Sequence, residues 1–128
     1  MNGNLFDTNI VIRLLNGDMY INNIVRELEN VSIPITVVGE LLFGAENSEN
    51  SAKNRLLYES FCSSFPILNT TIPVAREYGA IAACLKKRGT PIPMNDMWIA
   101  ATAISYGLRL VTADKHFKNV PNLDMLLV

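Results

Sequence analysis

Four acidic residues stand where a folded domain rarely keeps an unpartnered carboxylate. They are Asp7 in Leu-Phe-Asp-Thr-Asn, Glu40 in Val-Val-Gly-Glu-Leu-Leu-Phe-Gly, Asp96 in Pro-Met-Asn-Asp-Met-Trp, and Asp114 in Leu-Val-Thr-Ala-Asp-Lys-His-Phe. Each lies at or near the end of an apolar segment, where partial burial is expected. A buried charge is costly unless it is paired or holds a metal. The chain has only 11 Lys and Arg residues, and few are close in sequence to these acids. Four carboxylates drawn to one point would form an all-oxygen site for a hard cation, which points to metal-dependent phosphodiester chemistry.

Each acid also has an ordinary explanation. Asp7 before Thr8 and Asn9 is a good helix N-cap. Thr8 and Asn9 could cap as well, which frees Asp7 for another role and leaves them to orient it. Glu40 misses the capping-box position by one residue when Thr36 is the cap. It falls instead on the face shared by Thr36 and Gly44, pointing at the sheet. Asp96 suits the first turn of a helix, where the dipole favours an anion, with Asn95 as a candidate cap. Asp114 suits a turn, or the cap of a short helix through Phe117. Thr112 offers a hydroxyl beside it. The one histidine, His116, is expected at the surface rather than as a base. Trp98 is expected to pack or to face a partner.

The elements that must bring these residues together alternate between strand and helix. Strands are expected over Asn4–Phe6, Val31–Ile35, Phe65–Leu68, Leu108–Thr112 and Leu123–Val128. Helices are expected over Thr8–Asn16, Tyr20–Glu29, Val37–Glu46, Ser51–Phe65, Val74–Arg88 and Asn95–Tyr106. Pro34 argues for an edge strand or a strand end. The alternation predicts an α/β fold with a mostly parallel sheet and right-handed crossovers. Ligands of such sheets bind beyond the carboxyl ends of the strands, where Asp7 and Asp114 would both lie.

Composition narrows the class. The chain of 128 residues, 49% apolar and 18% charged, fits one domain over 1–128 with a sizeable core. No apolar run approaches the roughly 20 residues a membrane helix needs, and Met-Asn-Gly-Asn lacks the features of a secretory signal. Cys62 and Cys84 read as small buried hydrophobes, which suits a reducing cytoplasm. A net charge of −1 excludes binding to nucleic acid by phosphate neutralisation alone. The basic clusters Lys86-Lys87-Arg88 and Lys115-His116-Phe117-Lys118 could assist, although the first also suits a solvated helix end before Gly89.

Taken together, four segments resemble the PIN-domain family, specifically the VapC-type toxins of bacterial and archaeal toxin–antitoxin pairs. They are Leu5–Ile12, Ile35–Ala45, Pro91–Asp96 with Ile99–Ala103, and Leu110–Phe117. The resemblance implies a three-layer α/β/α sandwich. It carries Asp7, Glu40, Asp96 and Asp114 over as an acidic quartet that binds metal and catalyses, with Thr112 in support beside the Thr8 and Asn9 already read as orienting residues. It further implies a Mg²⁺- or Mn²⁺-dependent ribonuclease acting on RNA, a cognate antitoxin partner, and a homodimer. The polar opening Met-Asn-Gly-Asn departs from the family pattern and predicts a short first strand. Two rival readings remain at this point. A phosphoacceptor domain would want an acidic pair at the first strand, where Asp7 stands alone. A catalytically silent PIN-like domain, binding only RNA or a partner, would be favoured by loss of one acid, and all four are present.

Overall fold

The first strand is also the middle one. In the computed structural model, which describes residues 3–128, β1 (Asn4–Phe6) has three residues, all buried. It pairs in parallel with β2 (Val31–Pro34) on one side and β4 (Arg109–Thr112) on the other. The short β3 (Ile67–Leu68) and β5 (Met125–Leu127) complete the order β3-β2-β1-β4-β5. Every pairing among the described residues is parallel, so the sheet expected to be mostly parallel is wholly so.

Among the described residues six α-helices make the crossovers: α1 (Thr8–Leu15), α2 (Met19–Val25), α3 (Ile35–Glu46), α4 (Ser51–Cys62), α5 (Ile72–Arg88) and α6 (Met94–Tyr106). From β1 to β3 the chain steps outward in one direction, and from β3 to β4 it returns past β1. With right-handed crossovers this reversal puts helices on both faces, which gives the three layers. Leu5, Phe6, Ile33, Leu110 and Val111 form the sheet's share of the core. Ile10, Val11, Val37, Leu41, Val74, Ile81, Ile99, Ala100 and Ala103 supply the helical share. The small Ala100 and Ala103 let α6 lie close to the strands.

The polar opening is accommodated rather than exposed. Asn4 is 5% exposed, but its Nδ2 donates to the Glu29 carbonyl at 2.8 Å and its Oδ1 accepts from Arg109 Nε at 3.0 Å. Gly3 passes so close to the next segment that a Cβ there would lie 2.6 Å from the Asn30 carbonyl oxygen. Met1 and Asn2 lie outside the described residues.

Several boundaries differ from expectation, each for a local reason. The second helix ends at Val25 rather than Glu29, because the chain tightens into turns (Glu27 N–H to the Ile24 carbonyl, Leu28 N–H to Val25) and reverses at Asn30 with φ 53°. Thr36 is not a cap: β2 runs directly into α3, with Pro34 at the N-cap and no side-chain capping bond. Pro34 fits that half-helical position because its φ is fixed and its missing N–H is not needed. The same substitution of proline for a polar cap occurs at α6, where Pro93 rather than Asn95 precedes the helix. The helix expected through Phe65 stops at Cys62, and α5 starts two residues early, at Ile72, behind its Thr71 cap.

Candidate functional site

The strand order reverses between β1 and β4, and such switch points are where open parallel sheets bind ligands. Register does the rest. Phe6 lies opposite Val111, so the next residues along, Asp7 just past β1 and Thr112 at the end of β4, come side by side. Asp7 is 5% exposed and Thr112 is fully buried.

Asp7 has two tasks. Its Oδ1 caps α1 by accepting the Ile10 N–H at 3.0 Å, so the capping role thought dispensable is real. Its Oδ2 accepts from the Thr112 hydroxyl. The Thr112 oxygen also accepts the Asp114 N–H at 3.0 Å. One buried threonine thus connects the carboxylate after β1 with the backbone after β4. Burial pushes the Asp7 carboxyl up from 3.8 to about 6. The bonds from Thr112 and Ile10 pull it down, and the Asp96 and Asp114 carboxylates push it further up.

Glu40 sits in the second turn of α3, half-buried. Its Oε1 accepts from Thr8 Oγ1 at 2.7 Å, so Thr8 orients Glu40 rather than Asp7. Asn9 is exposed, and the hydrogen bonds at the acids run through Thr8 and Thr112 instead. Asp96 lies in the first turn of α6. Burial raises its pKa foremost. The His116 imidazole opposes that rise, while Glu40 and Asp114 add to it. Asp114 caps a short 3-10 helix (Lys115–Asn119) by accepting the His116 N–H at 3.2 Å, close to the turn expected of it.

The residue that sequence reasoning misplaced is His116. It is not a free surface side chain. Its Nδ1 is 3.0 Å from Asp114 Oδ1 and its Nε2 is 2.8 Å from Asp96 Oδ2. The latter contact is close but poorly aligned for a linear hydrogen bond. The signal in the sequence was its position two residues after Asp114, in a segment that turns back on itself. The link to Asp96 had no local signal. Trp98, by contrast, packs as expected: it stacks on Tyr78 with ring centroids 3.9 Å apart, joining α6 to α5. Cys62 and Cys84 are free thiols. Lys86, Lys87 and Arg88 form the exposed last turn of α5, closed by Gly89 with φ 69°.

The four acids therefore act on one another at one end of the sheet, with the His116 imidazole beside Asp96 and Asp114. Ligand atoms from Asp96, Asp114 and His116 lie within 4.8 Å of one another. The carboxylates are hard oxygen donors, and Asp7 has its charge destabilised by burial. That donor set fits a divalent hard cation, which would stabilise the charged form of every acid it touched.

An α/β sandwich with acids at its switch point defines a recognisable class. The PIN domain family model matches residues 5–123, and the chain belongs to that family. Among its relatives is Ribonuclease VapC2 of Rickettsia felis, 33% identical over 124 residues that cover 93% of this chain and 92% of that protein. Its fold is similar to that of the R. felis VapBC2 structure bound to a promoter DNA fragment, with TM-score 0.88, 29% identity and 98% of both chains covered. It is equally similar to DNA-bound VapBC of Salmonella typhimurium, at TM-score 0.89 and 28% identity, again over 98% of both chains.

Proposed function

We propose that this protein is a divalent-metal-dependent endoribonuclease and the toxin half of a toxin–antitoxin pair. The observation that carries the reading is the set of four mutually repelling carboxylates held at the switch point by Thr8, Thr112 and His116. The ribonuclease relatives and the VapBC structures support the class of reaction and of partner.

Asp7, Glu40, Asp96 and Asp114 are proposed to hold Mg²⁺ or Mn²⁺, directly or through water. Mg²⁺ commonly keeps several waters and takes only one or two carboxylates itself. When bound, the ion supplies Lewis acidity: it activates water and stabilises the leaving oxygen. The protein's own part is positional. Thr112 fixes the Asp7 carboxylate, Thr8 fixes Glu40, and His116 keeps Asp96 and Asp114 close despite their like charge. Hydrolysis then forms one P–O bond to water oxygen and breaks one to ribose oxygen, with no covalent protein intermediate.

The exposed apolar side chains support protein partners. Of the residues expected to be in excess on the first and third helices, Leu41 is buried, Leu14, Leu15 and Leu42 are half-buried, and only Phe43 is open. Ile35 on α3 is exposed as well, and so are Met19 and Tyr20 on α2 and Leu56 and Leu57 on α4. These are proposed surfaces for a second copy and for an antitoxin, one of whose basic residues would pair with the acids. Among the described residues no helix is long and apolar enough to cross a membrane, and the free cysteines suit the proposed cytoplasmic setting.

The test is RNA cleavage with Mn²⁺, with EDTA, and by the Asp7→Ala/Asp96→Ala double variant. Cleavage should require both metal and the acids. Metal-independent cleavage, or full activity of the double variant, would sink the mechanism. RNA binding without cleavage by wild type would favour the silent domain instead.

A further inference from the structure

Beside the acids lies a second feature that shares Thr8 and Glu40 with them. A cleft of about 500 Å³ is lined by Thr8, Thr36, Gly39, Glu40, Phe43 and Asn95. Thr36, Gly39, Glu40 and Phe43 fall three and four residues apart on one face of α3. Phe43 is 70% exposed, an unusual position for a large aromatic ring with no packing task. The space over Gly39 is open: a Cβ there would meet nothing within 4 Å. Thr36 Oγ1 is buried and has no hydrogen-bond partner among the described residues. Asn95, exposed on the first turn of α6, brings an amide to the opposite wall.

We infer that this cleft is a nucleotide slot, in which the base next to the scissile phosphate stacks on Phe43. The inference rests on the ribonuclease reading and deepens it. An exposed aromatic ring serves as a stacking platform for unpaired bases of RNA. A side-chain amide can read a base edge by paired donor and acceptor, and Asn95 offers one on the opposite wall. Glu40 belongs both to this cleft and to the acid cluster, so a base held here places its phosphate at the acids. Gly39 is small because any side chain would stand in the slot. The occupant is thus single-stranded RNA, since a base paired in a duplex cannot be splayed onto the ring.

Two variants separate this slot from a structural role. Phe43→Ala removes an exposed ring and leaves the core intact. Gly39→Leu fills the slot, and leucine favours an α-helix more than glycine does. The probes are fluorescein-labelled eight-nucleotide RNAs (A8, U8, C8) and the same RNAs carrying one abasic site, with Ca²⁺ in place of Mg²⁺. Affinity is read by anisotropy, folding by thermal melts, and cleavage separately with Mn²⁺. Phe43→Ala should weaken the best-bound RNA by about 5- to 150-fold, as expected for loss of one base–aromatic stack. Phe43→Trp should restore it. Gly39→Leu should weaken it comparably without lowering the melting temperature. On the abasic probe, wild type and Phe43→Ala should bind alike. Equal affinity of wild type and Phe43→Ala for every intact probe would overturn the slot and leave the nuclease reading standing if wild type still cleaves. Failure of wild type to bind any probe would overturn the slot as well. Failure to cleave any RNA with Mn²⁺ would instead count against the nuclease reading. A change of oligomeric state by light scattering in Phe43→Ala, with RNA affinity unchanged, would assign the ring to a protein contact and also overturn the slot.

Discussion

Replacing Asp7 with Asn should make the metal-free protein more stable, although the residue stands at the centre of the acid cluster. Burial raises the Asp7 carboxyl from 3.8 to about 6. A carboxyl whose pKa rises on folding contributes stability that is fully present below about 3.8 and lost as pH rises through about 6. At 1.36 kcal/mol per pH unit, the ionised side chain costs the native state about 3 kcal/mol at pH 7.5. That figure is already net of the bonds from Ile10 and Thr112, which favour the charged form. Asparagine is neutral, nearly isosteric and a comparable N-cap, so Asp7→Asn should recover most of the cost. The assay is urea denaturation in EDTA at pH 7.5 and pH 4. At pH 7.5 the midpoint should rise by about 1–3 M, for a slope of about 1–3 kcal/mol/M. At pH 4, where folded wild-type Asp7 is itself neutral, most of the gain should vanish. A variant no more stable than wild type at pH 7.5, or equally stabilised at both pH values, would refute the reasoning.

Other expectations follow from the same geometry. Thr112→Val removes the hydroxyl that serves Asp7 and the Asp114 N–H together, and should destabilise the protein by about 1–3 kcal/mol at pH 7.5, measured by the same urea titration. Its RNA cleavage should fall as well, since Asp7 loses its orientation. Mg²⁺ at 100 times its Kd should stabilise wild type by about 2.7 kcal/mol through mass action, and distinctly less in Glu40→Gln or Asp96→Asn. Equal shifts in all three proteins by thermal melts would show that the acids do not share a cation.

Much of the fold was legible because the strands carry their own signal. Leu-Arg-Leu-Val-Thr and Val-Ser-Ile-Pro are short β-prone runs between clear helices, and their alternation dictates parallel pairing. The acids could be placed at the strand ends for the same reason. The helix starts were less legible. Polar caps were expected at Thr36 and Asn95, and at α3 and α6 the chain instead uses Pro34 and Pro93 directly after extended backbone. Asp7 was judged free of capping because Thr8 and Asn9 were available, yet a carboxylate with two oxygens can cap with one and accept from Thr112 with the other. His116 was hidden for a different reason. Its contact with Asp96 joins the turn after β4 to the start of α6, and no periodicity within either segment encodes that meeting.

The central position of β1 also sets the order in which this chain can become harmful to RNA. Its partner β4 arrives 105 positions later, as the spacing of Thr112 from Asp7 records. Chains emerge from the ribosome at about 5–20 residues per second, N-terminal parts first. Throughout that interval Asp7 has no Thr112 to orient it, one flank of β1 is unpaired, and Asp114 does not exist. A growing chain is therefore inert through most of its own synthesis. Whatever restrains the finished protein need only be at hand once the β1–β4 pairing closes, which gives a partner made alongside it time to be present first.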